Sequence, residues 1–90
     1  MDVKNAVKKA IEYISDIFMS EKLENIGLEE VSLDEHKNIW EVTIGFSRPW
    51  DYPKPNIITG LKTMNPKRQY KVVRIDNTTE QIKSVKIRNI

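Results

Sequence analysis

His36 is the only histidine in these ninety residues, and it stands between Asp34, Glu35 and Lys37, a polar run that reads as an exposed turn. A metal centre needs further ligands converging on the ring, and nucleophilic catalysis needs a serine or cysteine within hydrogen-bond reach of it. No spacing in the chain supplies either. Cysteine is absent, which removes disulfides, thiolate nucleophiles and sulfur-ligated metals. Carboxylates are plentiful at Glu29, Glu30, Asp34, Glu35 and Glu41, but acid–base work requires a buried group with a shifted pKa, and these fall in a segment whose polar face should be solvated. Gly27, Gly45 and Gly60 stand in no phosphate-binding frame. The expectation is a protein with no catalytic constellation, no metal and no cofactor, and so not an enzyme.

A different kind of chemistry is concentrated in Phe46–Asn56, FSRPWDYPKPN, where Pro49, Pro53 and Pro55 stiffen a backbone that carries Trp50 and Tyr52 between Arg48 and Lys54. Each proline fixes φ and removes a ladder donor, so a strand entering this stretch must end near Arg48. Trp, Tyr and Arg dominate protein-interface hot spots, and a pre-ordered segment loses little entropy on binding. Arg48, Trp50, Tyr52 and Lys54 are therefore the candidate partner-binding residues, with a protein as the expected partner. The competing structural reading has both rings folding back as a lid over a thin core.

The cations are unevenly placed. Residues 1–47 hold five Lys and ten Asp or Glu, a balance of −5, and residues 48–90 hold ten Lys or Arg and three Asp or Glu, a balance of +7, which together give the chain's +2. The plainer expectation is that the two halves attract each other within one fold. The alternative is a nucleic-acid-binding face made by Arg68, Lys71, Arg74, Lys86 and Arg88, with Tyr70 offering a ring to a base. Strand parity does not bring all these cations to one side unless a bulge intervenes.

The elements that must position these residues are legible from periodicity. Val3, Val7, Ala10, Ile14 and Ile17 recur every three or four residues, predicting an amphipathic helix over about 2–20 with Asp2 as its N-cap; any helical extension ends by Gly27. Trp40, Val42, Ile44 and Phe46 alternate with Glu41, Thr43 and Gly45, predicting a strand paired through the Asp34–Asn38 turn with an arm holding Val31 and Leu33. A second hairpin is predicted from Tyr70–Ile75, a turn at Asp76–Thr79 and an arm at Gln81–Arg88. Residues 1–90 thus form one domain, with a long loop at 48–67 of a length that is usually functional or disordered. The fold class expected is α+β, an N-terminal helix packed on a four-stranded antiparallel meander.

Hydrophobic residues at 39% and charged residues at 31% predict a soluble globular chain, and Asp2, Glu12 and Asp16 interrupt any signal-peptide core. The default is a cytoplasmic protein with no membrane association. The strand ending at Ile90 has only its basic residues for edge protection, which leaves a homodimer through an edge strand as a further expectation.

The order of elements, and YKVVRIDNTTEQIKSVKI at 70–87 in particular, resembles the small PepSY-type domains, whose cystatin-like design lays a helix against an antiparallel sheet; IWEVTIGF would be their central strand. The match covers 3–20 loosely and 38–88 apart from the loop. Asn77–Glu80 replaces the family's turn glycine, the loop at 48–67 is added, and the Q-x-V-x-G hairpin tip of true cystatins is missing although a Pro49–Trp50 pair is present. The resemblance implies a non-enzymatic binding or regulatory module.

Overall fold

One helix lies across one face of a four-stranded antiparallel sheet in the computed structural model, which describes residues 1–49 and 68–89. The α+β expectation is met. Helix α1 spans Val3–Ile17, and Asp2 begins it by accepting the Asn5 amide on its carboxylate at 2.8 Å. Ala6, Ala10 and Ile14 form the fully buried stripe, the two alanines letting the backbone approach the strands closely. Phe18 closes the helix, a short 3-10 turn follows at Met19–Glu21, and Lys22 takes left-handed φ of 51° to redirect the chain.

Four strands follow in chain order, β1 at Glu24–Asp34, β2 at Ile39–Ser47, β3 at Gln69–Asp76 and β4 at Ile82–Ile87, and the spatial order is the same. The helix therefore ends well before Gly27, and Gly27 lies inside β1 opposite Gly45, not at a helix terminus. The strand starts this early because Asn25, a residue type that tolerates φ of 54°, absorbs the register shift between Glu24 and Gly27. Strand β2 ends at Ser47, where the prolines require it to.

Alternation assigns the two faces. Val42, Ile44 and Phe46 of β2 join Val73 and Ile75 of β3 under the helix, all fully buried, with Trp40, Val31, Ile82 and Val85 packed around them. The Phe18 and Phe46 rings meet at 5.7 Å between centroids, sealing the helix end. Burial of each such apolar side chain contributes about 1.5–3 kcal/mol before the entropy of ordering the chain is subtracted. The other face presents Glu30, Ser32, Glu41, Thr43, Arg74 and Lys86.

Two bulges shape that outer face. Opposite β3, the register advances from Ile75–Ile82 to Arg74–Ser84, so Lys83 is the extra residue, and Ile82, Val85 and Ile87 all reach the helix side while Lys86 points away. Opposite β2, the shift between Leu28 and Glu30 makes Glu29 extra, so two consecutive glutamates serve the outer face.

At the far end of the sheet the two hairpin turns are tied together. Asn77 donates its backbone N–H to the Asn38 carbonyl at 3.0 Å and its side-chain amide to Asn38 Oδ1 at 2.9 Å, and Asn38 donates onward to Thr78 Oγ1 at 2.7 Å.

Candidate functional site

The root of the 48–67 connection is the first surface with a defined geometry. Strands β2 and β3 are hydrogen-bonded neighbours, and Phe46 stands opposite Gln69, so the chain leaves and returns at adjacent points. Both exits are held by arginines. Arg48 donates to Glu21 at 3.3 Å, reaching the 3-10 turn after the helix, and Arg68 donates to Glu29 at 3.0 Å, reaching the bulge of β1. The second pair lies directly over Gly45, where an added Cβ would stand 2.6 Å from Glu29 Oε1 and 2.7 Å from the Arg68 guanidinium. Glycine at that position is what lets the pair lie flat on the sheet. Of the residues expected to bind a partner, Arg48 is at this root, half-buried; Trp50, Tyr52 and Lys54 fall outside the described residues.

The outer face of the sheet is the second surface. Arg74 pairs with Glu41 across β3 and β2 at 3.1 Å, and Arg88 forks onto Glu30 with bonds of 3.2 and 3.3 Å while donating to the buried Thr43 hydroxyl at 2.7 Å. The acidic first half of the chain and the basic second half thus meet as neighbouring strands. Of the five expected nucleic-acid contacts, Arg68, Arg74, Lys86 and Arg88 share this face, and the Lys83 bulge is what aligns the last two with Arg74. Lys71 is on the helix side, its ammonium 5.6 Å from the centre of the Phe18 ring. Between the paired residues runs a groove of about 360 Å³ beside Lys86, which alone of these outer-face cations has no ion-pair partner among the described residues.

A third surface was missed by sequence reasoning. Val3, Val7 and Ile11 on the flank of α1 and Leu28 on β1 line an apolar groove of about 650 Å³ along the β1 edge, with Lys4, Lys8 and Glu12 above it. The signal was present in the Val3–Val7–Ile11 spacing, but that spacing alone also describes an ordinary core stripe.

His36 is exposed in its turn, and no group of acidic or histidine side chains with metal-binding geometry occurs among the described residues. The Thr79 and Thr78 amides, each donating at 2.8 Å, hold the Asp76 carboxyl below the ordinary value. That is turn architecture, since the same carboxylate organises the β3–β4 hairpin. No helix among the described residues is long and apolar enough to cross a membrane.

Comparison of the chain with known protein families, with curated proteins and with solved structures finds no match.

Proposed function

We propose that this domain is a non-enzymatic binding module that recognises a protein partner through the proline–aromatic stretch 46–56, with Arg48, Trp50, Tyr52 and Lys54 as its contact residues. The observation that carries this reading is the doubly clamped root. Adjacent antiparallel strands need only a tight turn to connect them, yet here the connection is long, and an arginine–glutamate pair fixes each end to a different element. Fixing both exits reduces the conformational freedom that binding must remove. The resemblance of the sequence at 70–87 to PepSY-type domains points the same way, to a non-enzymatic binding or regulatory module.

The test uses the two tryptophans. In a Trp40→Phe variant Trp50 is the sole tryptophan, and iodide should quench its fluorescence freely in the folded protein. Trp50→Ala and Tyr52→Ala should leave far-ultraviolet circular dichroism unchanged while removing a partner captured by the unaltered domain. A shielded Trp50, together with unfolding of both alanine variants, overturns the reading in favour of a core lid.

A second reading, nucleic-acid binding by the basic strands, draws support from Arg74, Lys86 and Arg88 lying side by side on the outer face. Two of those three are already neutralised by glutamates, which favours the first reading. The nucleic-acid reading predicts an affinity for single-stranded nucleic acid that falls steeply with salt and is lost in Lys86→Glu.

A further inference from the structure

The two edges of the sheet are unlike. Strand β1 carries Glu24, Glu29, Glu30 and Asp34 and no cation, whereas β4 carries Lys83 and Lys86 and no carboxylate. Each is paired on one side only among the described residues. Each also exposes an aliphatic side chain on the helix side of the sheet, Leu28 at 44% and Ile87 at 72%. The apolar groove runs along the β1 edge with Leu28 in its wall, and Ile87 projects from the opposite edge.

From this we infer that the domain self-associates head to tail, β4 of one copy adding to β1 of the next, with Ile87 seated in the groove between α1 and Leu28. The inference does not rest on the proline–aromatic stretch. Because β1 and β4 run in opposite directions, a second copy placed alongside continues the sheet antiparallel with both helices on the same side. Setting Ile87 opposite Leu28 brings Val85 opposite Val31 and Lys86 beside Glu29 and Glu30, the bulge absorbing the odd residue. Lys86, without an ion-pair partner in its own chain among the described residues, then meets acid. A symmetric pairing of two β4 strands brings two sets of lysines together and one of two β1 strands brings two sets of carboxylates together, so charge selects the head-to-tail mode. Such an interface does not use itself up: each copy leaves one acidic and one basic edge free. With a twist of roughly 20–25° per strand, each added copy turns by roughly 80–100°, giving a helical stack.

Sedimentation equilibrium of the full chain over a wide concentration range tests this. The expected result is an average mass that climbs past the dimer without a plateau and falls at high salt. A monomer at every concentration, or a plateau at the dimer, overturns the proposal. Ile87→Asp, at a site exposed enough to leave folding intact, should weaken association by roughly tenfold or more. Lys86→Glu should weaken it as well, by placing acid against acid. The decisive arm mixes Ile87→Asp with Leu28→Asp, each confirmed folded by circular dichroism. Each has one working edge, so the mixture should form a one-to-one heterodimer and nothing larger. No association on mixing, or self-dimers in either variant alone, overturns the head-to-tail arrangement.

Discussion

Trp40 donates its indole N–H to the Asn77 side-chain oxygen at 2.8 Å, joining the first residues of β2 to the turn of the second hairpin. The ring packs against the core while its polar edge is satisfied from 37 residues away along the chain. Removing the acceptor leaves a part-buried donor without a partner. Asn77→Ala should therefore cost about 1–3 kcal/mol in urea unfolding. In a double-mutant cycle with Trp40→Phe the coupling should be about 1 kcal/mol, because the second change removes the orphaned donor.

Asp76 makes the domain acid-sensitive in a defined window. Its carboxyl is held below the ordinary value of about 3.9 by the Thr79 and Thr78 amides, so the folded state binds that proton more weakly than the unfolded chain does. The stabilisation is complete above about pH 5, begins to decline as the pH nears the unfolded-state value and is lost as the pH falls through the lower folded-state value. Asp76→Asn keeps an acceptor for the turn amides but does not titrate. Urea midpoints measured between about pH 5 and pH 2 should show a smaller decline in this variant than in the parent.

Glu80 holds φ of 62° at the end of the same turn, a left-handed conformation that costs a residue with a Cβ roughly 1 kcal/mol. Its amide closes the turn onto the Asp76 carbonyl at 2.8 Å, an interaction that any residue type can supply. Glu80→Gly should stabilise the domain by about 0.5 kcal/mol after the added freedom of the unfolded chain is subtracted, read as a rise in the thermal midpoint.

Gly45→Ala separates the clamp at the root of the long connection from the fold itself. The new methyl occupies the space of the Glu29–Arg68 pair, whose flexible ends must move aside. Loss of the pair costs under about 1 kcal/mol, and replacing a strand glycine returns about the same. Stability should stay within about 1 kcal/mol of the parent, while the affinity of a partner recognised through 46–56 should fall. Unchanged affinity with the pair displaced would show that the clamp plays no part in recognition.

Much of the fold was legible because its strongest signals are local. The Trp40–Phe46 alternation and the Val3–Ile17 periodicity need no knowledge of distant partners, and both elements lie where the spacing sets them. The outer face was not legible, because single extra residues decide it. Without the bulge at Lys83, Ile82 would share a face with Lys86; without the one at Glu29, only one of the two glutamates could meet an arginine across the sheet. Such bulges leave no compositional mark in a strand of ordinary residues. Gly27 read as a terminator because glycine ends helices more often than it sits in strands, and the Asn25 conformation that admits it into β1 depends on pairing with β2. The charge split between the two halves was visible, and its plainer reading matches the ion pairs that now join β1 and β2 to the cations of the second half.

The Asn38–Asn77 clasp also bears on the order in which the chain assembles. Within each hairpin the turn is short, so β1–β2 and β3–β4 can form by local search, whereas bringing β2 to β3 requires closing the 48–67 connection. Closure entropy grows only with the logarithm of length, so doubling that connection adds about 0.6 kcal/mol to the barrier and slows docking roughly threefold. The clasp sits at the end of the β2–β3 ladder farthest from the connection, at Ile39 opposite Asp76. Two preformed hairpins that met one residue out of step would leave these amides unmatched. The asparagines therefore favour the native register over a one-residue slip, and their loss should appear in refolding kinetics as a slower or heterogeneous docking phase.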